Sequence, residues 1–181
     1  MGLFIKHFDE AKATEFFLDF YKKQFSAKNK ADTKALLKDI KENYHVLGHV
    51  SEEDFTDYIN AASLAWMSIA WTKYYVSKRV PMMEWVAMET ELEKKASKDI
   101  RGFQETNSLA ATLSQAFGSS YTDGNTAMAE VFVSGLLDEK YDKAVASDPE
   151  GVRQSILGFS AIFVNNFDIF TKIISASRLV K

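Results

Sequence analysis

Hydrophobic positions recur along nearly the whole chain with the three- to four-residue spacing of an amphipathic α-helix. No stretch shows the strict two-residue alternation between turn signals that is typical of a β-strand. Only two prolines and eight glycines occur, and most stand where a predicted helix begins or ends. The pattern predicts an all-α protein, a single-domain bundle of six or seven helices over residues 1–181, because no linker-like segment divides the chain.

Capping residues set the predicted helix limits. Ser51 followed by three acids, and Asp148 followed by a proline and an acid, are the clearest starts, because these side chains satisfy the free amide groups of a helix N-terminus. The first five predicted helices cover about residues 9–26, 31–44, 51–78, 81–95 and 103–117. The sixth covers about 128–137 and breaks before 141–146, and the seventh covers 149–177.

The third and seventh predicted helices, over about 51–78 and 149–177, are apolar on several faces. A helix of this kind needs neighbours on several sides, so we expect both to be central and to contact each other. Each contains a charge-free stretch, Tyr58–Thr72 and Gln154–Phe167. Both stretches are shorter than the roughly 18 to 20 residues of a membrane span, and they predict buried core helices and no membrane span.

Composition narrows the class of protein. Hydrophobic residues make up 46% and charged residues 26%, the net charge is −3 and there is no cysteine. These values exclude a disulfide scaffold, a thiolate metal site and a cysteine nucleophile. The lysine-rich segment 22–41 contains no arginine, so we expect a solvated helix face and no nucleic-acid partner. With no recognisable signal peptide, a cytoplasmic location is expected.

No local catalytic motif is found. The nucleophile motifs GxSxG and SxxK and the phosphate loops GxGxxG and GxxxxGK[ST] are absent from the sequence. His45 and His49 are four residues apart, and Glu42 precedes them, which suggests a metal site with two imidazoles and one carboxylate. However, Gly48 is expected to end the helix between the two histidines. We therefore expect no metal and no cofactor.

The candidate binding site is a set of aromatic and amide side chains. Four aromatic residues surround the end of the third helix and the start of the fourth, and a pair of asparagines interrupts the apolar seventh helix. We expect Trp71, Tyr74 or Tyr75 to be partly exposed and at least one asparagine to face the interior, within reach of them. The alternatives are that the aromatic side chains fill the core and that the asparagine forms a hydrogen bond between helices. The predicted site residues are Trp71, Tyr74, Tyr75, Trp85, Asn165 and Asn166.

Two functional hypotheses remain. The first is a non-catalytic binding or regulatory module that acts through a partner surface or a small apolar pocket. Its partner would be another protein, which it could inhibit, or a small apolar ligand, and self-association is left open. The alternative is a helical enzyme whose catalytic residues come from separate helices. A pocket lined by several carboxylates would favour the enzyme, and an exposed aromatic patch would favour partner binding.

Overall fold

The computed structural model describes residues 6–119 and 123–180, and within these ranges the chain is almost entirely helical. Two 3-10 turns, His45–Leu47 and Asp138–Lys140, join helices, and the only extended pairing described is one bridge between Phe8 and Val180. The α-helices are α1 (Glu10–Gln24), α2 (Ala27–Asn43), α3 (Glu52–Lys78), α4 (Met82–Asp99), α5 (Phe103–Ser119), α6 (Gly124–Leu137), α7 (Tyr141–Ser147) and α8 (Pro149–Ala176). The all-α prediction is confirmed, and the short α7 is the piece that was predicted to break from the sixth helix.

Most predicted helix starts are confirmed by their caps. Asp9, Ser51 and Asp148 each accept a hydrogen bond from the backbone amide three residues further on. Helix α2 begins four residues earlier than predicted, because Ser26 acts as its cap. Gly48 does not end α2, which already stops at Asn43; it ends the 3-10 turn that follows. Helix α5 ends at Ser119, close to the predicted stop at Gly118.

Helix α3 lies at the centre and contacts α1, α2, α5, α6 and α8. The predicted contact between α3 and α8 is confirmed by Trp66, whose ring centroid lies 5.8 Å from that of Phe163 and 5.4 Å from that of Phe167. Two apolar clusters follow along α3. The first joins its N-terminal part to α2, α5, α6 and α8, and the second joins its C-terminal part to α1, α4 and the last turn of α8.

Helix α8 packs on α3, α6 and α7 but also has an apolar side that faces solvent, with Leu157, Val164, Ile169 and Ile173 exposed. Among the described residues it is the one helix that is long and apolar enough to cross a membrane, and only 17% of its most apolar window is buried. Helix α3, in contrast, is buried along most of its length. The core interpretation of Tyr58–Thr72 is thus confirmed, and the absence of a membrane span at α8 stays a prediction.

Candidate functional site

The corner between α3 and α4 brings four of the predicted aromatic residues together. Arg79 ends α3 in the left-handed region, with φ 58°, and its backbone amide donates to carbonyl groups of the last turn. Pro81, two residues further on, occupies the N-cap position of α4. The tight corner lets Tyr75 stack on Trp85, with ring centroids 5.0 Å apart, while Trp71 and Tyr74 stack at 5.9 Å. The sequence therefore correctly groups these aromatic side chains.

The expected partial exposure of Trp71, Tyr74 or Tyr75 is wrong, whereas Trp85 is half-buried. Trp71 is 2% exposed, Tyr74 8% and Tyr75 9%. Phe8 stacks on Trp71 at 4.5 Å, and Phe17 of α1 meets the same ring edge-on at 4.7 Å. These rings are core residues of the second apolar cluster.

Both ends of the described chain cover this aromatic group. Phe8 pairs with Val180 in the single extended bridge, and the amide of Asp9 donates to the carbonyl of Leu179 at 2.9 Å. Leu179 is fully buried. In the sequence, Phe8 and the Leu179–Val180 pair are apolar although they lie outside the predicted helices. This is the feature that indicates that the chain ends pack against the core.

The predicted asparagines make no hydrogen bond to the aromatic group among the described residues. Asn165 is exposed and Asn166 half-buried, and neither makes a side-chain hydrogen bond within the part of the chain that is described. Asn165 is two residues from both Phe163 and Phe167, which face Trp66, and two residues turn a helix by about 200°, so its side chain points away from α3.

The buried amide of this fold is instead Asn60, in the N-terminal half of α3, which is 2% exposed. Its Oδ1 accepts a hydrogen bond from Nδ2 of Asn29 at 3.0 Å, which links α3 to α2. Nδ2 of Asn29 also donates to the carbonyl of Gln24 at 2.7 Å. Because a carbonyl only accepts, the orientation of Asn29 is fixed, and with it that of Asn60. In the sequence, Asn60 lies within the charge-free stretch Tyr58–Thr72, and nothing local distinguishes it from the other polar residues there.

Apolar side chains are exposed on the outer surface of the same corner. Four side chains from the last turn of α3 and the first turns of α4 are exposed, and we call them the tip patch: Val76 (61%), Met82 (65%), Met83 (79%) and Val86 (37%). Lys78 and Arg79 are exposed beside them, and the ammonium of Lys78 lies 5.6 Å from the ring centre of Tyr74.

One acid, Glu84, also lies at this corner, but its carboxylate is engaged within the protein. Its Oε2 lies 3.0 Å from Nδ1 of His7, and its Oε1 accepts from the backbone amide of Phe8 at 2.7 Å. Among residues 76–86, this leaves Lys78 and Arg79 as the exposed charged side chains.

A second candidate is a polar cleft of about 590 Å³, where the N-terminal parts of α2, α3 and α5 meet the end of α1. Its two hydroxyl groups are occupied, since Thr56 donates to the carbonyl of Glu52 and Thr106 to that of Gly102. The described residues that line it include no histidine, serine or tyrosine. The lining residues are Phe25, Lys30, Glu52, Glu53, Thr56, Asp57, Asn60, Arg101, Gly102, Glu105 and Thr106.

Glu89 of α4 is a titratable group that the sequence reasoning missed. It faces the interior near Tyr21 of α1 and Ser68 of α3, one turn before Glu93. Burial, assisted by the negative charge of Glu93, raises the pKa of Glu89 to about 7, and a hydrogen bond with Ser68 acts in the opposite direction. Glu93 itself accepts from Nδ2 of Asn107 at 3.0 Å. The carboxylates of Glu89 and Glu93 therefore lie between helices.

The two histidines do not share one α-helix, as expected. However, the break is the end of α2 at Asn43, before both histidines, and Gly48 ends only the 3-10 turn between them. His45 lies in that turn, and its Nε2 is 2.6 Å from Oδ2 of Asp148 at the start of α8. Burial, followed by the positive charges of Lys140 and Lys41, lowers the pKa of His49. Among residues 6–119 and 123–180 no group of three or more metal-binding side chains comes together.

No family model, no curated protein and no solved structure matches this chain. The functional argument therefore depends on the geometry of the two candidate surfaces, the tip patch and the polar cleft.

Proposed function

We propose that this protein is a non-catalytic binding module that docks onto a protein partner through the tip patch. The observation that carries the proposal is the group of four exposed apolar side chains at one corner of the fold. Single exposed apolar residues are ordinary on protein surfaces, whereas a group at one position is typical of a contact site. Two of the four are methionines, whose flexible side chains adapt to the shape of a partner.

The base of the tip patch is rigid, which favours binding. Tyr75 and Trp85 stack directly behind it, and Phe8 covers Trp71 on the inner side. A surface that is held in place before binding loses little conformational entropy when a partner docks. The aromatic residues identified in the sequence thus support the contact surface from below, while the exposed methionines and valines make the contact.

Charge defines the chemistry of the partner. Lys78 and Arg79 are exposed at the rim of the tip patch, and the carboxylate of Glu84 is held by His7 and a backbone amide. An interface with an apolar centre and a basic rim is complementary to a protein surface with an apolar centre and a rim of carboxylates. We expect added salt to slow association, because the charges are exposed and therefore screened.

The enzyme alternative is less well supported. The polar cleft contains several carboxylates, the feature expected of an active site, but its threonine hydroxyl groups donate to backbone carbonyls within their own helices. The residues that line it include no histidine or cysteine to form a nucleophile and base pair. The polar cleft is thus better suited to holding a ligand than to covalent chemistry.

Site-directed photo-crosslinking tests the proposal. A photoreactive amino acid replaces Met83 in the tip patch or, as the control, Val145 on α7, which is an exposed apolar residue away from the corner. In cells that express the chain, we expect position 83 to give a discrete adduct with one protein that position 145 does not give. That protein, once purified, should form a stable complex with the unmodified chain in sedimentation velocity.

Three outcomes would overturn the proposal. Identical adducts from both positions would mean that the tip patch has no preferred partner. Adducts of the chain with itself, together with a dimer in sedimentation, would assign the tip patch to self-association. Binding to vesicles that contain phosphatidylserine, abolished by Met83→Glu, would assign the tip patch to a membrane surface instead of a protein.

A further inference from the structure

The polar cleft is separate from the proposed docking surface. Asp57 in the cleft and Lys78 at the tip patch lie 21 residues apart on one helix, α3, which corresponds to about 30 Å at the helical rise. A ligand in the cleft would therefore not touch the tip patch, and the two surfaces can be tested independently.

The floor of the polar cleft has a hydrogen-bond donor that the protein does not use. The side chain of Asn60 is almost completely buried, and its Oδ1 is engaged by Asn29. The orientation of Asn29 is fixed by the carbonyl of Gln24, so Asn60 must present its nitrogen elsewhere. Within the described residues this nitrogen donates to no protein atom, although Asn60 lines the cleft. Because this nitrogen keeps contact with the open space of the cleft, it can donate there to water or to an acceptor of a ligand.

The charged groups around the donor form no ion pair with one another within 4.0 Å among the described residues. Burial and the charges of Glu53 and Asp54 raise the pKa of Asp57, and the positive charge of Lys30 acts in the opposite direction. Lys30 and Arg101 supply two positive charges, and neither lies within 4.0 Å of a carboxylate among residues 6–119 and 123–180. Three carboxylates face the same space without a cationic partner at that distance, those of Glu53, Asp57 and Glu105. Glu52, the fourth acid in the lining, is already paired with Lys34 at 2.8 Å. The two cationic groups and the three carboxylates that form no ion pair thus have a net charge of −1.

A ligand that complements this arrangement has one carboxylate and two cationic groups. We infer that the polar cleft binds an α-amino acid with a cationic side chain, the chemical class of lysine, ornithine and arginine. Its carboxylate accepts from the Asn60 amide and pairs with Lys30 and Arg101. Its two cationic groups pair with the three carboxylates, and Phe25 packs against the methylene groups between them. The volume of about 590 Å³ accommodates such a molecule with some water.

Isothermal titration calorimetry with L-lysine and L-arginine tests this inference on the full chain. Cadaverine has the two cationic groups without a carboxylate, and L-norleucine lacks the cationic side chain. We expect L-lysine or L-arginine to bind at least about tenfold more tightly than either comparison compound, because only the basic amino acids satisfy both sets of charges. Absence of binding by both amino acids at millimolar concentration would overturn the inference. Equal binding of cadaverine and L-lysine would also overturn it, because the cleft would then be a simple cation site.

Arg101→Gln separates recognition of the carboxylate from general charge attraction. Arg101 is exposed and outside the core, so the fold should persist, which circular dichroism verifies. We expect this variant to bind L-lysine no better than cadaverine, while its affinity for cadaverine stays equal or rises because a positive charge has been removed. The matched control is Arg153→Gln on α8, which lies outside the cleft. If both variants lowered L-lysine binding equally, the assignment of Arg101 and the cleft would be wrong.

Discussion

Glu89→Gln should stabilise the protein in a manner that depends on pH. In the folded chain the pKa of Glu89 is raised from 4.5 to about 7, because its carboxylate is buried next to Glu93. The folded state therefore holds a proton that the unfolded state releases, and the free energy of unfolding falls as the pH rises from the lower pKa to the higher one. A pKa shift of this size lowers the free energy of unfolding by about 3 kcal/mol above pH 7. This is an upper figure, because the side chain keeps some contact with water. Glutamine has nearly the same shape and does not ionise, so the variant avoids this cost.

Urea denaturation followed by tryptophan fluorescence at fixed ionic strength measures the effect. The difference in unfolding free energy between Glu89→Gln and the unmodified protein should increase by about 2.5 kcal/mol from pH 5 to pH 8, in favour of the variant. Any change in packing that is independent of pH cancels in this comparison. The control is Glu91→Gln, an exposed position on the same helix, whose ion pair with Lys94 contributes a few tenths of a kcal/mol.

Two results would refute the reasoning. A difference that stayed constant within about 0.5 kcal/mol from pH 5 to pH 8 would show that Glu89 titrates as an ordinary surface carboxylate. A variant that lost stability relative to the unmodified protein as the pH rose would show that the ionised carboxylate is stabilising in the fold, for example through an undetected cationic partner.

Three further predictions concern the core, the chain ends and the histidines. Trp66→Ala should lower the free energy of unfolding by about 3 to 5 kcal/mol in urea denaturation, because the ring is completely buried, and a loss below about 1 kcal/mol would contradict its place in the core. Phe8→Ala should increase quenching of tryptophan fluorescence by iodide, because it uncovers Trp71, and unchanged quenching would mean that the chain end does not cover that ring. His45→Ala and His49→Ala should each change stability by less than about 1 kcal/mol, because both side chains are exposed, and should leave the metal content measured by mass spectrometry unchanged. Stoichiometric metal that is lost in either variant would refute this last prediction.

The helices could be predicted from the sequence because their signals are local. The side chains of Ser51 and Asp148 each accept a hydrogen bond from a backbone amide only three residues further along the chain. The spacing of apolar residues likewise identifies the buried side of α3. Where a prediction failed, a competing local signal was present. Ser26 caps α2 earlier than expected, and Gly48 acts on a 3-10 turn that the spacing does not distinguish from the end of a helix.

The candidate sites depend on contacts between distant parts of the chain, which a single sequence does not reveal. Tyr75 is aromatic and near a helix end, so partial exposure is a reasonable expectation, yet Trp85 and the chain ends cover this region. Asn60 and Asn165 both interrupt apolar stretches, but only Asn60 meets a partner from another helix. For Glu89 a signal exists, because it follows the apolar Trp85 by four residues and so lies on the same side of α4.

The most direct test of the proposed function compares the affinity of the purified partner for two variants. Met83→Glu places a negative charge in the centre of the tip patch, and Val145→Glu makes the same kind of change at an exposed position away from it. Both positions are exposed, so neither change should disturb the fold, and equal thermal unfolding of the two variants verifies this. Isothermal titration calorimetry should show the dissociation constant rising by at least about tenfold for Met83→Glu and staying unchanged for Val145→Glu. Equal affinities for the two variants would contradict the assignment of the α3–α4 corner as the docking surface.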